Sequence, residues 1–72
     1  MKNLFNRLTL EHQEILEELC QEYPSTISDI KYELINNLYW TELKYSTAVS
    51  LVNFLGLYDY SPTGLNKLFE NE

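Results

Sequence analysis

Histidine and cysteine occur once each, glycine and proline twice each, and five basic residues face eleven acidic ones in a chain of 72 residues. Each scarcity excludes something. Cys20 alone cannot close an internal disulfide, and with His12 as the only histidine there is no set from which four metal ligands could be drawn. His12 and Cys20 are separated by about 12 Å of helical rise, too far for a nucleophile and its base. Cys20 lies among Glu17, Glu18 and Glu22 and reads as a small hydrophobe. The two glycines, Gly56 and Gly64, form no phosphate-binding loop, and no Ser, His and acid set occurs. The expectation is a protein that is not an enzyme and holds no metal or cofactor.

Long apolar runs are also missing. None approaches the roughly 18 residues of a membrane span, and the first ten residues carry Lys2, Asn3, Asn6 and Arg7 with no signal-peptide core, so a cytosolic protein is expected. The formal charge of −6 repels nucleic-acid phosphates and anionic membranes at long range. It favours a basic protein surface as partner, with neither membrane nor direct nucleic-acid contact. Charge of this size also simply keeps small domains in solution.

What is present is apolar residue in helical order. With 44% apolar and 14% aromatic residues the chain can offset the entropy of folding. Its length allows one domain, residues 1–72, whose core supplies roughly 3–5 kcal/mol of net stability, so good packing or association must support it.

Leu4, Phe5, Leu8, Ile15, Leu16, Leu19 and Tyr23 fall at helical spacing, which predicts a first helix ended by Pro24. Either Asn3 or Thr9 can cap it; Thr9 is preferred, with residues 4–8 as a helical extension. Ser25, Thr26 and Ser28 offer caps for a second helix over about residues 26–38, carried by Ile27, Ile30, Leu34, Ile35 and Leu38. Thr41 can cap a third, whose face is Leu43, Ala48, Leu51, Val52 and Leu55 and whose end is marked by Gly56. Leu57 is expected to fold back on Val52. Ser61 and Pro62 open a short fourth helix with Leu65, Leu68 and Phe69 on one side. The fold class is therefore all-α, a small bundle of three main helices plus a short C-terminal fourth, with a core of Leu16, Leu19, Ile30, Leu34, Leu38, Ala48, Val52 and Leu55.

Two surface features stand out. Glu11, Glu14, Glu18 and Glu22 recur at i, i+3 and i+4 steps and line one side of the first helix, about 5–6 Å apart. That repeat is close to the phosphate spacing of a nucleic-acid strand, which suggests a decoy for a nucleic-acid-binding protein, although an ordinary solvated helix face looks the same. Six tyrosines accompany a single tryptophan, and Tyr39, Trp40 and Tyr45 gather around the expected turn between the second and third helices, where they can anchor a partner. Leu4, Phe5, Leu8 and Leu57 lie outside the three main stripes, with Trp40 and Phe54 at their edges, and this surplus predicts a two-fold homodimer.

The function expected from these features is protein binding: an inhibitor or accessory subunit that occupies a basic surface of its partner. By size and charge it is comparable with host-takeover proteins of viruses and mobile elements, an analogy that rests on no shared motif. The alternative is a helix-turn-helix regulator of DNA, allowed by the helix order. Against it, Lys2, Arg7, Lys31, Lys44 and Lys67 are scattered and give no helix a basic face.

Overall fold

Three short polar side chains open helices in the computed structural model of the protein, which describes residues 3–56 and 61–69. Asn3 accepts the Asn6 N–H at 2.9 Å and starts α1 (Leu4–Arg7). Thr9 accepts the His12 N–H and starts α2 (Leu10–Glu22), while Ser61 accepts the Gly64 N–H and starts α5 (Pro62–Asn66). Each side chain satisfies a donor that the first turn of a helix leaves unpaired. Asn3 and Thr9 both act as caps because the chain is extended at Leu8 and Thr9, so the first apolar stretch forms two helices that meet at an elbow.

Tyr23 ends α2 and also precedes α3 (Pro24–Asn36), leaving no linker between them. Pro24 stands at the first helical position, where its missing N–H costs nothing and its fixed φ suits the helix. This corrects the expected start of the second helix: Ser25, Thr26 and Ser28 lie inside α3 and none of them is the cap. At the other end, the Asn36 and Asn37 side-chain amides donate to the carbonyls of Tyr32 and Glu33, both at 2.8 Å, and so occupy acceptors that the last turn frees. Asn37 itself is extended and breaks the helical register, and Leu38 emerges exposed instead of continuing the stripe below Leu34.

A 3₁₀ turn (Trp40–Glu42) follows, held by the Glu42 carboxylate, which accepts the N–H groups of Leu38 at 3.1 Å and Tyr39 at 2.8 Å. Thr41 is within this turn and caps nothing. Leu43 and Lys44 are extended, and α4 (Tyr45–Phe54) begins only at Tyr45. Gly56 closes α4 in the left-handed region at φ 76°, as its position after Leu55 predicts. Leu57 and its contact with Val52 lie outside the described residues.

Among the described residues there is no strand, and the architecture is the expected all-α bundle: α2, α3 and α4 are the main helices, with α1 and α5 as single-turn additions. The core is one cluster of Leu4, Leu8, Leu16, Ile27, Ile30, Leu34, Leu51, Val52, Leu55, Leu65, Leu68 and Phe69. Of the expected core, Leu16, Ile30, Leu34, Val52 and Leu55 are buried, Leu19 and Ala48 are half-buried, and Leu38 is exposed.

The surplus argued from Leu4 and Leu8 is also corrected. Both are fully buried, because the elbow turns α1 back over α3, where the Leu4 N–H donates to the Asn37 carbonyl at 3.0 Å. Phe5, Trp40 and Phe54 pack part-buried against the same core, so most of the residues invoked for a dimer are used within the chain.

Gly56 offers a clean test of the α4 ending. Nothing lies within 4 Å of a Cβ built there, so the Gly56→Ala variant meets no clash and only the strain of a left-handed non-glycine residue. Its expected cost is about 1 kcal/mol, with Gly56→Asn costing less, read from urea midpoints at unchanged m-value.

Candidate functional site

Helix α2 turns its short apolar side inward through Leu16, with Ile15 and Leu19 half-buried beside it, and this orientation sets where its carboxylates point. Glu11, Glu14, Glu18 and Glu22 are all exposed along the outer side. Glu17 differs, because its carboxylate accepts the Lys31 ammonium of α3 at 2.8 Å. The same ammonium lies 5.4 Å from the centre of the Phe5 ring, so one lysine bridges α3, α2 and α1.

Between α1 and α2 the surface is concave. A groove of about 410 Å³ is lined by Phe5, Leu10, Gln13, Glu14, Glu17 and Glu18. Leu10 is 73% exposed although it belongs to a main helix, since Thr9 caps just before it and its side chain points away from the core that Leu8 enters. The sequence shows the leucine and the acids; only the fold shows that they share a concavity. Reading residues 4–23 as one continuous helix places Leu10 among surface positions without a neighbour, whereas the elbow brings Phe5 alongside it.

The aromatic residues of the turn do not act as one group. Tyr39 is 45% exposed and Tyr45 is 79% exposed, whereas the Trp40 ring is half-buried and its indole N–H donates to the Asn66 side-chain oxygen at 3.0 Å. Trp40 thereby ties the turn to α5. Neither of the two described grooves includes Tyr39, Trp40 or Tyr45.

A second concavity, about 460 Å³ between α3 and α4, is mainly polar, with Asp29, Glu33, Lys44, Ser46, Thr47 and Ser50 among its lining. Lys44 and Glu33 approach to 3.8 Å across it. With the lysine largely in water and the charges this far apart, the pair contributes little.

His12 is spoken for structurally. Its Nδ1 lies 3.3 Å from the Leu68 carbonyl, the geometry of a ring N–H donor, and the same oxygen receives the Thr9 N–H at 3.3 Å. Together with the isolated bridge between Leu8 and Phe69, these contacts fasten the C-terminal turn to the elbow. Cys20 is half-buried against the core. Among the described residues no three His, Cys, Asp or Glu side chains are grouped to hold a metal ion, and no helix is long and apolar enough to cross a membrane.

The fold and surface thus define a small all-α protein with an acidic, partly apolar groove. Compared with known proteins, no family model matches the chain, and no curated protein or solved structure matches it either.

Proposed function

We propose that the chain is a cytosolic protein-binding module that acts as an inhibitor or accessory subunit by laying the outer face of α2 against a basic surface of another protein. The observation that carries this is the exposure of Glu11, Glu14, Glu18 and Glu22 along one helix, on which Glu17 alone has an ion pair among the described residues. Aligned uncompensated carboxylates speed encounter with a positive surface and do little to hold it, so affinity needs an apolar contact as well. Tyr39 and Tyr45, both exposed, are available for a second contact, and Trp40 contributes by fixing the turn that presents them.

Reversing Glu14 and Glu18 to Lys tests the reading. Captured partners should be retained less by the double variant than by the wild type and lose their salt sensitivity, with association slowed about tenfold or more at low salt. An unchanged set of partners with unchanged salt dependence would count against the proposal. If instead the wild type shifts duplex DNA and the double Lys variant shifts it more tightly, the DNA-regulator reading takes its place.

A further inference from the structure

We propose that the groove between α1 and α2 receives a basic helical segment of another protein. One aliphatic side chain of that segment rests on Phe5 and Leu10, while Arg or Lys residues one and two turns along it reach Glu14 and Glu18. The inference rests on the acidic-face reading above and narrows it to a place and a partner chemistry.

Leu10, Glu14 and Glu18 are four residues apart and stack on one side of α2, spanning about 12 Å at 1.5 Å per residue. A helix lying alongside repeats with the same one-turn pitch, so an aliphatic residue followed by two basic ones at i+4 and i+8 matches all three positions. An exposed leucine alone is unremarkable, but Leu10 stands beside the Phe5 ring in a concavity of about 410 Å³, which gives an apolar side chain two surfaces to cover.

The fold already shows how a cation is accepted here. Lys31 places its ammonium 2.8 Å from Glu17 and 5.4 Å from the Phe5 ring centre, pairing charge and aromatic face at the edge of the same groove. Glu14 and Glu18 have no ion pair among the described residues. Three carboxylates therefore border the groove against one internal ammonium, and the complement of that arrangement is a segment carrying two positive charges.

The test uses the full chain and two capped helical peptides of identical composition. In one, a Leu and two Arg share a face at i, i+4 and i+8, with its reversed sequence as a second registered probe; in the other, the same residues are permuted onto different faces. Titration calorimetry at low salt should show a registered peptide binding at least about tenfold more tightly than the permuted one, a difference of about 1.4 kcal/mol. Amide shift changes should centre on Phe5 and on the α2 residues from Leu10 to Glu18.

Leu10→Ser should weaken the registered peptide on the order of tenfold without lowering thermal stability, because Leu10 is exposed in the free protein. Glu14→Gln with Glu18→Gln should weaken it similarly and flatten its salt dependence. Equal affinity for registered and permuted peptides, or loss with the Glu variants but not with Leu10→Ser, overturns the groove while leaving the acidic face in place. Indifference to the Glu variants overturns both.

Discussion

Replacing Leu8 by Ala is expected to remove about 2–5 kcal/mol of stability, while replacing Leu10 by Ala, two positions along, changes it by no more than about 0.5 kcal/mol. Leu8 is fully buried at the elbow between α1 and α2, whereas Leu10 is 73% exposed in the groove. Truncating the first leaves a cavity lined by the core cluster; truncating the second removes surface already in water. A domain of this size has roughly 3–5 kcal/mol in total, so Leu8→Ala should be largely unfolded at room temperature and Leu10→Ala should melt with the wild type. Urea titrations followed by far-ultraviolet circular dichroism decide it. Equal losses at the two sites would mean that the elbow is not where the structure puts it.

Leu68→Ala is expected to cost about 2–4 kcal/mol and to destabilise the whole chain, not merely the C-terminal turn. Leu68 is fully buried, and the backbone around it is tied to the elbow at two points: its carbonyl accepts from Thr9 and His12, and Phe69 bridges Leu8. On the far side Asn66 accepts from Trp40. The single tryptophan is therefore a local reporter of α5 docking. If α5 is part of the core, Trp40 fluorescence and helical dichroism lose their native values over the same urea range in both wild type and variant. If fluorescence changes first, the segment peels away on its own and the cooperative unit ends before it.

The two variants probe the elbow and the C-terminal turn, which are set by contacts distant in sequence. Helical periodicity and caps locate α2, the interior of α3, the end of α4 at Gly56 and the Ser61-Pro62 start of α5, because each depends on residues within one or two turns of one another. Thr41 lies inside the 3₁₀ turn and caps no helix. Glu42 reaches back to two N–H groups and tightens the chain into a 3₁₀ turn, so a local competitor displaced the hydroxyl that looked available. Leu38 falls outside the α3 stripe because the backbone leaves the helical region at Asn37.

The candidate site divides in the same way. The acidic row of Glu11, Glu14, Glu18 and Glu22 was legible because helical spacing alone sets which residues share a side, and Leu16 shows that the opposite side faces the core. The Phe5 and Leu10 groove was not legible, since it depends on the angle between two helices. Nor was the commitment of Trp40 to Asn66, a contact spanning 26 residues in sequence.

By itself, then, the sequence determined an all-α chain, the acidic side of α2 and two of its helix openings, at Thr9 and Ser61, while leaving Asn3 as an alternative to Thr9 where the structure uses both. These follow from spacing, capping hydroxyls and amides, and the lack of a basic face, all of which act over a few residues. Only the tertiary structure decided that Leu4 and Leu8 belong to the core and Leu38 does not, that His12 fastens the C-terminal turn, and that Phe5 stands beside Leu10. The physical reason is the elbow: two extended residues, Leu8 and Thr9, redirect a four-residue helix onto α3, and the direction is selected by the apolar area it buries there, including side chains from the far end of the chain.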